Sequence, residues 1–483
     1  MLVHQIWENY SDDLVALSYN GQTVTYGELK RNIKDVRDYY HTVGIKPGEN
    51  VGLYSKNSPE FVYAYFAIVS IGAVVVPLNG GLTPNEIEYI AKDAGMKHIV
   101  TMQKLELEDK FKQLVISEYT QKLGSMDVEK SLVVSEMDDN QVAVIIYTSG
   151  TTGHPKGAML THKNLISNTE STIKAFRVTS VDRILCALPM FHCFAWTTIV
   201  LTALYSGATT VIMDTFNPKE ALRIINSEKV TVVCGVPTMY NYYLTLGSVE
   251  LFKFVRLFIS GGASIPVEIT DKFKTKLGIT IVEGYGLSEA SPVVTVNPLD
   301  DVRAGSIGVP IENVTVKIVN SEGKELPKGE IGELIVNGPN VMKGYYNLPE
   351  VTEKTIVDNW LFTGDMAYED DEGYIYIVDR LKDVVIVSGM NVYPREIEEI
   401  IYQYEGVVEA AVIGVADKTR GEVTIAYIAT KDNHIFDVQG LKNFLRENLA
   451  GFKLPKKVYL KDELPKNATG KIMKKILREE YNK

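Results

Sequence analysis

Little in this chain points to a scaffold held by covalent or metal staples. Its 483 residues include only three cysteines, Cys186, Cys193 and Cys234. They have neither the even count of a disulfide framework nor metal-ligand spacing, so they read as reduced core thiols. With seven histidines and no ligand-spaced partner, a histidine-rich metal centre is not expected. A basic excess is missing too: 50 Lys and Arg face 61 Asp and Glu, a net charge of −11, which argues against a general nucleic-acid binder. Repeats and low-complexity segments are absent. Long apolar runs are nearly so. Phe61 to Leu78 carries no charge over 18 residues, the lower limit for a membrane span. Ser70-Ile71-Gly72 interrupts it, and Val74-Val75-Val76-Pro77 reads as a short buried strand behind a buried helix, so no transmembrane segment is expected. Met1 to Asn9 shows no basic stretch followed by an apolar one, and a cytoplasmic location is the expectation.

What is present is the composition of a globular chain too long for one core, which should divide into two or more domains. Asn20-Gly21 between the apolar run Leu14 to Tyr19 and Val24 predicts a two-residue hairpin, because both turn positions must tolerate positive φ. Thr25 and Glu28 have capping-box spacing and predict a helix start. From about 48 to 260, short β-branched runs such as Val51 to Tyr54, Ala208 to Met213 and Val230 to Cys234 alternate with amphipathic helical segments. That alternation predicts mostly parallel sheets. From about 303 to 380, runs such as Val314 to Val319 and Gly332 to Val336 sit between Gly and Pro turns, which predicts an antiparallel sheet or small barrel. Beyond Arg380 a helix (Pro394 to Tyr404), two strands, another helix (Val438 to Leu449) and a last strand (Lys457 to Leu460) predict a compact α+β unit. Its charges are nearly balanced, so the acidity lies in the larger part.

The stretch around which the chain is organised is Thr148-Ser149-Gly150-Thr151-Thr152-Gly153-His154-Pro155-Lys156-Gly157. The apolar run Val142 to Tyr147 feeds it and reads as a buried strand. Glycines let a backbone approach an anion, hydroxyls donate hydrogen bonds, and Lys156 adds a charge, which together make a phosphate-binding loop. The Walker pattern does not fit, because Gly157 follows Lys156. Four further stretches carry chemistry. Gly284-Tyr285-Gly286-Leu287-Ser288-Glu289 reads as a flexible loop with an aromatic face, a hydroxyl and a carboxylate. Trp360-Leu361-Phe362-Thr363-Gly364-Asp365 reads as a carboxylate on a tight turn, able to accept from two ribose hydroxyls. Asp379-Arg380-Leu381-Lys382-Asp383 gathers charges at the predicted boundary, where a solvated linker is the plain reading. Pro465 to Lys471 puts a lysine after Thr469-Gly470, either a surface cation or one delivered to a site on another domain.

In this order and spacing the stretches resemble the adenylate-forming superfamily of acyl-CoA synthetases, adenylation domains and luciferases. The resemblance runs from about Tyr26 to the end. Pro189-Met190-Phe191-His192, Gly284 to Pro292 and Asn391 to Glu396 look most like bacterial long-chain-fatty-acid–CoA ligases. The fold it implies is α/β: a large N-terminal domain, 1–381, of two α/β subdomains and a small β-barrel, and a smaller mobile α+β domain, 382–483. The activity it implies is attack of a carboxylate on the α-phosphate of ATP, then displacement of AMP by the thiol of coenzyme A. Medium- or long-chain fatty acids are the expected substrates and Mg²⁺ the metal. An acyl carrier protein is the alternative acceptor, and a homodimer is left open.

The resemblance also distributes roles. Thr148, Ser149, Gly150, Thr151, Thr152, Gly153 and Lys156 would hold the β- and γ-phosphates. Tyr285 and Gly286 would face adenine, Ser288 the α-phosphate, and Glu289 with Thr148 the Mg²⁺. Asp365 and Arg380 would hold the ribose, while Gly261, Gly262 and Ala263 would line the junction of the adenine and acyl pockets. His192 would sit near the reacting carboxylate and Trp196 would gate the acyl tunnel, although an apolar core helix explains Trp196 equally well. Lys471 would drive adenylation, Lys382 would be the hinge, and Gly389 would line the coenzyme A tunnel. Two other readings compete. An amino-acid-activating enzyme would need an acid near Phe191 to Trp196, and none is there. A non-catalytic nucleotide sensor would have no need of Lys471.

Overall fold

The computed structural model describes residues 1–120, 137–148, 155–431, 436–468 and 470–482. Local chemistry sets the first elements. Asn20 and Gly21 take φ of 52° and 77° and join strands Val15–Tyr19 and Gln22–Thr25. The Thr25 hydroxyl accepts from the Glu28 N–H while the Glu28 carboxylate reaches back to the Thr25 N–H, and helix Tyr26–Thr42 begins there. The uncharged run folds as the buried helix Pro59–Ser70 and strand Val74–Pro77. Among the described residues no helix is long and apolar enough to cross a membrane.

Two mixed sheets build the N-terminal lobe. A nine-stranded sheet runs in the order Val309–Pro310, Val293–Val296, Ile281–Gly286, Leu257–Ser260, Val232–Gly235, Arg183–Cys186, Thr209–Ile212, Val15–Tyr19, Gln22–Thr25, and its inner pairs are parallel. A seven-stranded sheet centres on Val74–Pro77 and Asn50–Tyr54, with Val142–Thr148 beside them. One apolar core spans helices and strands of both sheets, with Phe61, Phe66, Ala143, Leu160, Leu185 and Val233 all buried in it. The antiparallel unit expected over 303–380 is a five-stranded sheet with its own small core of Ile307, Ile318, Leu334, Ala367 and Ile375.

Past Arg380 the strands among the described residues pair only with one another, Val407–Asp417 against Gly421–Thr430 and the latter in parallel with Lys457–Lys461. Two apolar clusters lie on the faces of this sheet, one under helices Pro394–Tyr402 and Val438–Asn448, the other under Lys474–Tyr481. Asp379 to Asp383 is a solvated linker only at its centre: Arg380, Leu381 and Lys382 are exposed, whereas Asp379 and Asp383 are 6 % and 9 % exposed and Asp383 accepts from Arg478 at 2.6 Å.

Candidate active site

One cavity of about 560 Å³ opens where the strand ends of the nine-stranded sheet meet the antiparallel unit and the C-terminal lobe. Ligands in open α/β sheets bind beyond the carboxyl ends of strands, and this cavity obeys that rule. Thr148, Lys156, His192, Gly261, Gly262, Ala263, Tyr285, Gly286, Ser288, Glu289, Asp365, Arg380 and Lys471 all line it. Residues separated by more than 300 positions in sequence thus share one chamber.

The Gly-rich loop joins two antiparallel strands, Val142–Thr148 and Lys156–Thr161, in which Thr148 and Lys156 are cross-strand partners. The segment therefore leads from strand to strand, unlike the strand-to-helix connection of Walker proteins. Ser149, Gly150, Thr151, Thr152 and Gly153 lie outside the described residues. At this end the Tyr345 ring sits under the Lys156 ammonium, 5.4 Å from Nζ to the ring centroid, while its hydroxyl donates to Glu289 at 2.8 Å. A cation and a carboxylate are held apart yet within reach of one polyphosphate.

Tyr285 and Asp365 depart from their expected settings. Tyr285 lies in strand Ile281–Gly286 rather than a flexible loop, and only the short turn Ser288–Ala290 follows it. Asp365 lies inside strand Trp360–Glu369 rather than on a turn. A kink at Gly364, φ 72°, lets the Asp365 N–H turn to the Thr363 hydroxyl at 3.1 Å. The reason is pairing: Asp365 stands opposite Arg380 in the ladder, with Nε 3.3 Å from Oδ1, and the Tyr285 hydroxyl donates to Asp365 Oδ2 at 2.5 Å. Burial and the adjacent Asp365 charge hold the Tyr285 phenol well above its ordinary range, so it stays a donor. A carboxylate has about four lone-pair sites, and two are used here. The others are free to accept from a vicinal diol.

On the opposite wall His192 Nδ1 accepts from the Phe194 N–H at 3.2 Å, which leaves the proton on Nε2. Burial and then repulsion from Lys471 lower its pKa to about 4, so it is a neutral donor at pH 7 and not a cation. Beside it the Cys193 thiol lies 3.3 Å from Ser288 Oγ, and burial pushes it up to about 12. Trp196 does not line this cavity. It is 4 % exposed one layer behind, in the π-helical turn Trp196–Leu201, with its ring 3.9 Å from that of Tyr65. The adjacent Phe194 supplies the wall instead: a Cβ on Gly261 would come within 3.0 Å of its ring.

Lys471 enters from the C-terminal lobe on the loop between Pro465 and Ile472. Its N–H donates to Asn467 Oδ1 at 2.9 Å. Gly470, at φ 83°, lets the loop come so near the other lobe that a Cβ would lie 3.1 Å from the Thr238 hydroxyl. By area Lys471 is exposed, but that area opens on the cavity. Crowding by protein on its other sides, with Arg380 adding repulsion and Asp365 opposing it, lowers its pKa to about 8. Lys382 lies outside the cavity in the turn Leu381–Asp383, and desolvation followed by Arg380 repulsion lowers its pKa. Gly389 is not brought to the site; it sits at the exposed tip of the hairpin Val385–Val387 and Met390–Val392. Sequence reasoning missed Cys193, Phe194, Glu333 and Tyr345, which line the cavity but lack a motif of their own. Cys193 and Phe194 directly follow His192 and could have been read from it.

The family model for AMP-binding enzymes matches residues 3–346, and that for the AMP-binding enzyme C-terminal domain matches 396–471. A long-chain-fatty-acid–CoA ligase of Bacillus subtilis is 35% identical over 97% of this chain and 92% of its own length. A feruloyl-CoA synthase of an Amycolatopsis species is 36% identical over 98% and 96%. The solved structure of O-succinylbenzoate coenzyme A synthetase from Bacillus subtilis, in complex with ATP and magnesium ion, superposes with a TM-score of 0.88 at 29% identity, covering 100% of this chain and 99% of that one.

Proposed function

Because the chain belongs to the AMP-binding enzyme family, as an AMP-forming acyl-CoA synthetase that works through an acyl-adenylate, we propose that its acid is a medium- or long-chain fatty acid and its acceptor the thiol of coenzyme A. The carboxylate oxygen of the acid attacks the α-phosphorus of ATP, the bond to the β-phosphate oxygen breaks, and pyrophosphate leaves. The thiol then attacks the acyl carbon, AMP departs with the electron pair of the broken C–O bond, and the thiol proton passes to solvent.

The observation that carries the adenylate-forming step is Lys471, a partly desolvated lysine from the C-terminal lobe, facing a chamber that already holds Lys156 and Arg380. Two anions must meet in the first step, and a fixed ammonium opposes their repulsion without any proton transfer. Arg380 and Asp365 orient the ribose, Tyr285 presents an aromatic face to adenine, Ser288 donates to the α-phosphate, and His192 donates from Nε2 toward the reacting carboxylate. Among the described residues no cluster of three or more His, Cys, Asp or Glu could hold a metal alone. One carboxylate, Glu289, with a hydroxyl, Thr148, on the cavity wall suits Mg²⁺, which takes few protein ligands together with substrate phosphates. When bound there, Mg²⁺ supplies charge neutralisation on the phosphates. Residues 382–483 act as the lid, turning at Lys382 to withdraw Lys471 and to bring Gly389 to the pantetheine path.

The relative named for long-chain fatty acids and the apolar wall of Leu188, Phe194, Val236 and Val296 support the fatty-acid reading. A second reading, an aromatic acid bearing a hydroxyl, is favoured by Thr198 Oγ1 and Ser260 Oγ, which are buried beside the cavity without a hydrogen-bond partner. Coenzyme-A-dependent AMP release across straight-chain acids of graded length, with ferulate and malonate as competitors, separates the two. The fatty-acid reading expects the highest kcat/KM on a straight-chain acid; a preference for ferulate overturns it.

A further inference from the structure

The face between the two lobes carries an arrangement that the nucleotide cavity does not use. Helix Pro394–Tyr402 of the C-terminal lobe starts after Tyr393, and helix Val267–Leu277 of the N-terminal lobe starts after Pro266; neither has a side-chain cap of its own. The first turn of a helix leaves N–H donors without intrahelical partners, and burying one unpaired is costly. Each of these helices takes its cap from the other lobe. The Asp379 carboxylate, in strand Ile375–Arg380, accepts from the Arg395 N–H at 2.9 Å. In return Glu399 Oε2 accepts from the Val267 N–H at 3.3 Å. The Arg395 guanidinium ties the exchange together: it donates to the Ile377 carbonyl at 2.7 Å, and its Nε lies 3.7 Å from Glu399 Oε1. Beneath them, Glu283 of the N-terminal lobe is 3 % exposed and feels the Arg395 and Glu399 charges.

Each carboxylate also meets the positive end of a helix dipole. Both caps are made in the pose that presents Lys471 to the cavity. On departure both N–H groups and both carboxylates would return to water, so the arrangement biases the lid without locking it.

We infer that Glu399 and Arg395 are positioning residues for the adenylate-forming half of the reaction, fastening the lid by reciprocal capping across the lobe interface and playing no part in thioester formation. The inference rests on the proposed two-step function. A merely structural interface would change both halves together.

The test uses the full-length enzyme with decanoate, ATP and coenzyme A. Glu399→Ala is expected to lower decanoate-dependent ATP–pyrophosphate exchange roughly fivefold, the worth of one helix cap. Thioester formation from supplied decanoyl-adenylate should be unchanged or faster, and Glu399→Gln, which keeps an acceptor oxygen, should restore most of the exchange. Equal losses in both halves, or none in either, overturn the inference. No exchange in the parent enzyme would instead sink the functional reading, and the lid is then read without turnover. The native cysteines are buried, so spin labels at Lys324→Cys and Glu447→Cys report the distance between lobes. Glu399→Ala should shift the populations of docked and undocked distances by the same roughly fivefold factor. An unaltered distribution overturns the inference whatever the activity.

Discussion

Glu283 shows what burial does to one carboxyl. It sits in strand Ile281–Gly286, 3 % exposed, with Oε1 accepting from the Ile265 N–H and Oε2 without a partner. Desolvation raises its pKa from 4.5 to about 7, and the attraction of Arg395 offsets only part of that. The native state therefore holds this proton more tightly than the unfolded chain does. Its contribution to stability is complete below about pH 4.5 and is lost as pH rises through 7, an amount on the order of 3 kcal/mol. Glu283→Gln removes the charge that has to be buried. The variant should lose the fall in stability between pH 4.5 and 7 and should have a higher urea midpoint than the parent at pH 8. A parent-like slope would contradict the assignment. Residues such as Tyr285, Asp365 and Lys471 could be named from the sequence because each stands in a short, ordered motif. Glu283 stands next to one of those motifs, yet nothing in its neighbours along the chain announces Arg395 and Glu399, which are more than 110 positions away. The chemistry of Tyr345, which joins Lys156 to Glu289, was hidden for the same reason.

At the scale of elements, what depends on neighbouring residues was legible and what depends on pairing was not. The Asn20-Gly21 hairpin and the Thr25–Glu28 capping box are local hydrogen-bond chemistry, and both occur as expected. The glycines at 284 and 286 suggested a loop, but the neighbouring strand Val293–Val296 draws Gly284 to Gly286 into the sheet. Gly364-Asp365 suggested a turn, but the ladder opposite Arg380 extends that segment. Trp196 is the clearest case. Its apolar helix was open to two readings, and packing puts the ring among Phe61, Tyr65 and Phe66, behind the cavity wall. Trp196→Ala should therefore cost about 3–5 kcal/mol in chemical denaturation, the loss expected for a large buried aromatic, and leave the order of preference among acids unchanged. A longer preferred acid with unchanged stability would return Trp196 to the tunnel.

At the scale of the molecule, the site belongs to neither lobe alone. The N-terminal lobe supplies Lys156, Glu289, Tyr285, Asp365 and Arg380, and the C-terminal lobe supplies Lys471 and Asn467. The chain as a whole carries a net charge of −11, yet four of its cations, Lys156, Lys354, Arg380 and Lys471, line one cavity, where they can act on a bound polyanion at low dielectric. In the proposed mechanism the acyl-adenylate needs Lys471 while it forms and not after it has formed. The two half-reactions of Lys471→Ala, measured separately on one preparation, test this most directly. ATP–pyrophosphate exchange should be abolished, while thioester formation from supplied acyl-adenylate and coenzyme A should stay near the parent rate. Equal loss in the two halves would contradict the role of Lys471 and, with it, the division of labour between the lobes.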